Sequence, residues 1–165
     1  MTVKSVWHAG FSVNDIETSI AFWTQAVGLE LRHRQIQENE YSSYLVGYPN
    51  VRLSVAQLRL PEGGCGASGH VIEVLEYQRP VGERREPENA AIGSGHIALE
   101  VDDIDATRER CERMGAVFLS HTLDIEAGIN RGGRAVYGRS PDGITFELIQ
   151  PPPVPGKPSK AVSEH

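Results

Sequence analysis

Cysteine is scarce in this 165-residue chain: Cys65 and Cys111 are the only two, and they form no CxxC pair. That supplies neither a disulfide framework nor a thiolate zinc site, so two reduced thiols in a cytosolic protein are expected. A basic stripe is also missing. Sixteen Lys and Arg stand against 22 Asp and Glu, for a net charge of −6, and Arg84–Arg85 is an isolated pair inside a polar stretch. Without an electrostatic footprint for phosphates, nucleic acid is not an expected partner. No run approaches the ~20 apolar residues that cross a bilayer. The N-terminal Met1-Thr2-Val3-Lys4-Ser5-Val6 passes straight into strand-like sequence, with no charged region followed by an apolar run of signal-peptide length. These absences point to a cytoplasmic protein with no membrane partner.

What the chain does have is turns and a repeat. Hydrophobic residues make up 39%, with 17 Gly and 10 Pro, a composition suited to many short strands in a domain large enough to bury its own core. His8-Ala9-Gly10-Phe11-Ser12-Val13-Asn14-Asp15-Ile16 lies over His96-Ile97-Ala98-Leu99-Glu100-Val101-Asp102-Asp103-Ile104, the histidines at 8 and 96 being 88 residues apart. A Gly follows about 20 residues after each, Gly28 and Gly115. Two copies of one supersecondary unit explain this economically.

Each copy reads as a strand, a helix and further strands. In the first, Trp7, Ala9, Phe11 and Val13 alternate with Val6, His8, Gly10 and Ser12. Asn14 is expected to cap the helix, with Glu17 as the reciprocal half of a capping box. Ile16, Ile20, Trp23 and Val27 make the buried stripe, and Gly28 ends the helix. The second helix starts at Asp102 or Asp103 and stops at Gly115. Strands are expected at Leu29–Gln37, Tyr41–Gly47, Val51–Leu60 and Gly69–Tyr77, then at Ala116–Ser120, Gly133–Arg139 and Ile144–Gln150. The expected organisation is a first module at 1–77, an exposed linker at 78–93, a second module at 94–150 and a disordered proline-rich tail at 151–165.

Alternation also assigns faces. Trp7, Phe11 and Val13 lie on the side that covers the helices, while His8 lies opposite with the small Gly10 and Ser12. Ile97, Leu99 and Val101 repeat the first pattern; Ser94, His96 and Ala98 repeat the second. The closing strand of each copy carries a carboxylate among apolar residues, Glu73 and Glu147, which is costly to bury unless paired or metal-bound. If the copies pack about a pseudo-twofold axis, the four groups converge. Two imidazoles and two carboxylates suit one divalent ion, with Zn, Ni, Co, Mn and Fe(II) all open. His33, His70, His121 and His165 fall outside this register and are expected at the surface or behind the ligands.

The stretch running from His8 through Val13-Asn14-Asp15-Ile16-Glu17-Thr18-Ser19-Ile20-Ala21-Phe22-Trp23 to Val27-Gly28-Leu29-Glu30-Leu31 resembles the opening of the glyoxalase/bleomycin-resistance/extradiol-dioxygenase superfamily, the vicinal oxygen chelate proteins. Gly95–Ile104 is similar to the second-module opening, and Tyr137-Gly138-Arg139-Ser140-Pro141-Asp142-Gly143-Ile144-Thr145-Phe146-Glu147-Leu148 to the closing hairpin. The likeness spans about residues 3–150. It implies an α+β fold of two paired βαβββ modules forming an open, cup-shaped mixed sheet with helices outside, and His8, Glu73, His96 and Glu147 as metal ligands. The nearest flavours are glyoxalase I and methylmalonyl-CoA epimerase. Trp23 stands where Tyr is usual, Ile144 where Asn is common, and 48–69 reads as a long insertion without a glutathione- or CoA-binding signature.

The expected function is therefore a metal-dependent lyase or isomerase acting on a small carbonyl substrate through a stabilised enolate, with Glu147 and Glu73 as candidates for the proton shuttle. Glu38 and Glu40 are outer candidates, and Tyr44 and Tyr137 are expected to line the cup. Alternatives are an Fe(II) ring-cleaving dioxygenase, which needs two His, one carboxylate and open positions, and a metal-free binding protein for a drug or natural product. By analogy with the family, a homodimer is expected.

Overall fold

The computed structural model describes residues 2–62, 67–86 and 88–153. The chain forms two compact units, one of Met1–Pro87 with Pro141–Ile144 and one of Glu88–Ser140 with Thr145–His165. Cys65, His165 and most of the expected tail lie outside the described residues.

In the first unit, β1 (Ala9–Val13) leads to α1 (Ile16–Ala21), which continues as a π-helical turn over Phe22–Ala26. Then come β2 (Glu30–Gln37), α2 (Glu40–Val46), β3 (Arg52–Arg59) and β4 (Ile72–Arg79). They form an open sheet in the order β1-β4-β3-β2, with β1 parallel to β4 and the other pairs antiparallel. The second unit repeats the scheme: β5 (Ile97–Glu100), α3 (Ile104–Arg113), β6 (Val117–Phe118), β7 (Leu123–Asp124), β8 (Arg134–Arg139) and β9 (Thr145–Gln150). Its order is β5-β9-β8-β6, β5 is parallel to β9, and β7 also pairs β8. The α+β fold with two open sheets is as expected.

The repeat extends to the helix caps. Asp15 and Asp103 are the N-caps, accepting from the backbone N–H of Thr18 at 2.7 Å and of Ala106 at 3.0 Å. Asn14 is therefore not the cap; its N–H donates to Asp142, and Glu17 pairs with Arg34 rather than closing a capping box. Gly28 and Gly115, with φ of 93° and 89°, end the two helices in the left-handed region that Gly enters without steric cost. The buried stripe is Ile16, Ser19, Phe22, Trp23 and Ala26, shifted from the expected one because the π-helical turn changes the spacing. Trp7 precedes β1 and is 57% exposed, so it does not cover the helix layer.

One element differs in kind. Tyr41–Gly47, expected as a strand, is the helix α2. Asn39 caps it, accepting from Ser42 N–H at 2.8 Å, and Gly47 closes it at φ 76°. The aromatic residues that suggest a strand, Tyr41 and Tyr44, are 69% and 78% exposed. Val46 at the end of α2, like Leu75 and Tyr77 of β4, packs instead against the buried cluster of Val51, Leu53 and Val55. Leu53, Val55, Leu75 and Tyr77 share a sheet face with Gln57 and Glu73, because Leu53 pairs Tyr77, Val55 pairs Leu75 and Gln57 pairs Glu73. β3 is thus buried on both sides, with Leu53, Ser54, Val55 and Ala56 all buried in succession.

Candidate functional site

The register between first and last strands brings each histidine to its carboxylate. Gly10 pairs Glu73 and Ala98 pairs Glu147, so in both units the residue two after the His stands opposite the Glu. Side chains two apart share a face, and His and Glu therefore meet one step apart beside a small residue. A Cβ added at Gly10 would find only ordinary contacts, the nearest at 3.7 Å, which fits the Ala98 of the second copy. His8 Nε2 lies 3.6 Å from Glu73 Oε2, and His96 Nε2 lies 3.6 Å from Glu147 Oε2. Each expected pair is brought together within its own unit.

The chemistry of this donor set fits a divalent ion. Nitrogen and oxygen donors each about 2.0–2.2 Å from a common ion stand roughly 3 Å apart at a right angle and about 3.4 Å apart at a tetrahedral one. Both pairs are within a small side-chain rotation of that spacing. Both carboxylates are mostly buried yet close to an imidazole, the state in which a metal relieves the cost of burial.

His70 joins the first pair. It is 3% exposed, its Nε2 lies 3.0 Å from His8 Nδ1 and 3.9 Å from Glu73 Oε1, and its ring stacks on His8 with centroids 4.8 Å apart. One donor atom each from His8, His70 and Glu73 fall within 4.8 Å of one another, a group that could hold a metal ion. Burial pushes the His70 pKa below its ordinary value, so the ring is neutral near pH 7. Strand alternation hides this residue. It puts His70 with Ile72 and Val74, away from Glu73, but β4 begins only at Ile72. The preceding chain turns at Gly69 (φ 69°), where a Cβ would meet the Arg32 guanidinium at 3.2 Å. His70 is therefore not a surface residue. The Gln57 amide, on β3 opposite Glu73, donates to Glu73 Oε1 at 3.1 Å.

The second pair has a different companion. Tyr137 sits on β8 opposite Glu147, the position Gln57 holds in the first unit. Its hydroxyl is 3.1 Å from His96 Nε2. Burial, then the neighbouring Glu147 carboxylate, raise the Tyr137 pKa, so the phenol keeps its proton and donates.

Other candidates lie elsewhere. Glu38 is held by Arg52 and Arg79, Glu40 is exposed in the first turn of α2, and Tyr44 stands in solvent. His33 and His121 are exposed. Ser12, which follows His8 and Gly10 along one face of β1, opens onto a cavity of about 490 Å³ in the first unit that is also lined by Tyr48, Tyr77, Pro80 and Arg84. Among the described residues, no helix is long and apolar enough to cross a membrane.

Residues 7–137 match the model of the Glyoxalase/Bleomycin resistance protein/Dioxygenase superfamily. The chain belongs to that family. It is 30% identical over 154 residues to a 2-epi-5-epi-valiolone epimerase of an Actinomyces species, covering 90% of this chain and 80% of that protein. A probable lactoylglutathione lyase of Vibrio parahaemolyticus is 32% identical over 153 residues, covering 91% and 93%. Against a lactoylglutathione lyase of Arabidopsis thaliana the chain spans 44% of the relative's length. The fold matches the crystal structure of a glyoxalase family protein from Bacillus cereus with a TM-score of 0.80 at 22% identity, covering 93% of this chain and 97% of that one.

Proposed function

We propose that this protein is a divalent-metal-dependent lyase or isomerase that moves a proton on the carbon beside a carbonyl of a small substrate, with His8, Glu73, His96 and Glu147 as the ligands of one ion. The observation that carries the reading is the repetition of one His–Glu pair, in the same register and at the same 3.6 Å, in both units. The epimerase and lactoylglutathione lyases among the relatives support an enzyme of this type. When bound, the ion supplies Lewis-acid stabilisation of the negative charge that develops on the carbonyl oxygen, and Zn, Ni, Co, Mn or Fe(II) suits the donors.

The chain's own groups do the rest. Glu147 is assigned the base, taking the proton from the substrate carbon and returning it, a role worth roughly 10²–10⁴-fold. Tyr137, opposite Glu147 on β8 and with its hydroxyl 3.1 Å from His96 Nε2, stands beside that carboxylate. Glu73 accepts from the Gln57 amide and is assigned the holding role. The cavity beyond Ser12, walled by Tyr48 and Tyr77, receives the remainder of the substrate.

Two outer strands, β1 and β2, edge the first sheet, and Leu31 and Ile36 on β2 are exposed. Unpaired edges of this kind favour association, and a homodimer is part of the proposal.

Solvent exchange tests the reaction. Protein loaded with Zn, Ni or Co is incubated in D₂O with a panel of α-hydroxyketones and glutathione thioesters, lactoylglutathione included. Deuterium is expected at the acidic carbon of at least one. No exchange with any metal on any compound that binds would overturn the proposal, and oxygen consumption with Fe(II) would replace it with ring-cleaving chemistry.

A further inference from the structure

The geometry points to His70 as a positioning residue that sets the tautomer of His8, so that His8 Nε2 carries a bare lone pair toward Glu73. The inference rests on the ligand assignment proposed above.

The chain of donors and acceptors starts at a group whose role is not negotiable. The Ser68 carbonyl oxygen only accepts, and it takes Arg32 Nη1–H at 2.8 Å. His70 Nδ1 lies 3.4 Å from the same oxygen, so Nδ1 carries the His70 proton. A neutral ring protonated at Nδ1 has its lone pair on Nε2. That atom is 3.0 Å from His8 Nδ1, which must then be the donor. With its proton on Nδ1, His8 exposes the lone pair of Nε2, the nitrogen 3.6 Å from Glu73. A ligating imidazole needs such a partner on its far nitrogen to hold both tautomer and ring plane, commonly a carboxylate or a carbonyl. Here the partner is a second imidazole, itself oriented by a backbone carbonyl.

The local fold is built to keep it there. The Ser68 hydroxyl lies between the carbonyl oxygens of Trp7 and His70, and Ala9 N–H donates to Val71 O at 3.0 Å, so the segments carrying the two histidines are stitched together. Their rings stack with an interplanar angle of 28°. In this role His70 Nε2 serves His8 Nδ1–H rather than an ion.

The test separates the tautomer from the metal. Long-range ¹H–¹⁵N spectra of the metal-free protein report which nitrogen of each His is protonated. Wild type is expected to show Nδ1–H at His8, and His70→Phe, which keeps a stacked ring without an acceptor, to shift it toward Nε2–H. Zinc titration by calorimetry should then show the 10–100-fold loss of affinity usual for removing an outer partner of a ligating His. His70→Gln, whose amide oxygen accepts from His8, should recover most of that affinity and the Nδ1–H signal, and it also serves if the Phe variant fails to fold. Nε2–H at His8 in wild type, or unchanged zinc affinity in both variants, would overturn the role. Wild type that shows Nδ1–H but takes up no zinc, nickel or cobalt would instead overturn the ligand assignment, and the positioning role with it.

Discussion

The two units hold the same pair in the same way and support it differently. His8–Glu73 and His96–Glu147 share register and separation, and Asp15 and Asp103 cap the following helices alike. Behind the pairs the likeness stops. Where the first unit has Gln57 opposite its carboxylate, the second has Tyr137. His8 is 28% exposed and backed by a buried imidazole, while His96 is 45% exposed and touched by a phenol on its carboxylate-facing nitrogen. The duplicated scaffold keeps the donor types and their spacing. It leaves free what sits behind each donor. On this reading the first half is the rigid holder, and the second half, with a protonated phenol beside a carboxylate, is where the proton moves.

The largest expected effect tests that division. Glu147→Gln keeps shape and one donor oxygen but removes the base, so turnover should fall about 10²–10⁴-fold while metal is partly retained. Glu73→Gln should cost less. Steady-state rates with parallel metal analysis decide it, and the reverse order would place the base in the first half.

Tyr137→Phe and Gln57→Leu sharpen the comparison at equivalent positions. Tyr137→Phe removes the phenol hydroxyl beside His96 and Glu147, and Gln57→Leu removes a hydrogen bond to a carboxylate, an interaction of about 1.5–3 kcal/mol. The first is expected to lower kcat roughly tenfold or more with little change in metal affinity, and the second to weaken metal binding. Equal effects on both quantities would erase the asymmetry.

The cores differ too. At the place in the repeat where the first unit buries Trp23, the second buries Cys111. Burial pushes the Cys111 thiol from 9.0 up to about 11. The raised value means that the unfolded thiol ionises first as pH climbs, so stability is intact below pH 9 and falls between 9 and 11, by up to ~2–3 kcal/mol. Urea unfolding at stepped pH should show the loss, and Cys111→Ala should remove the part that sets in from pH 9. In a Cys65→Ser background, the folded protein should not react with a thiol reagent until it unfolds.

The smallest effect is expected at the caps. Asp15→Ala and Asp103→Ala should each cost ~1 kcal/mol in denaturant unfolding. A marked inequality would show that the two helices are not equivalent supports for their strands.

Much of this was legible because the signals recur. Period-two alternation put His8 and His96 on the face away from the helices, and the repeat singled out Glu73 and Glu147 from the other acidic residues. Two kinds of feature were not legible. α2 carries aromatic residues typical of a strand, and only its caps, Asn39 and Gly47, betray the helix. His70 belongs to no repeat and sits at the wrong parity for Glu73. Its place depends on the turn at Gly69, which breaks the alternation that sequence reasoning extends through it. Neither Gln57 nor Tyr137 stands out until strand register is known, because each acts only through the residue opposite it.

The central claim is that both pairs serve one ion, and metal stoichiometry tests it most directly. Calorimetric titration of metal-free protein with zinc, checked by elemental analysis after dialysis, should give one tight ion per chain. His8→Ala and His96→Ala should each abolish tight binding while far-UV circular dichroism stays that of a folded protein. Two ions per chain, or an undiminished ion in either variant, would contradict the account.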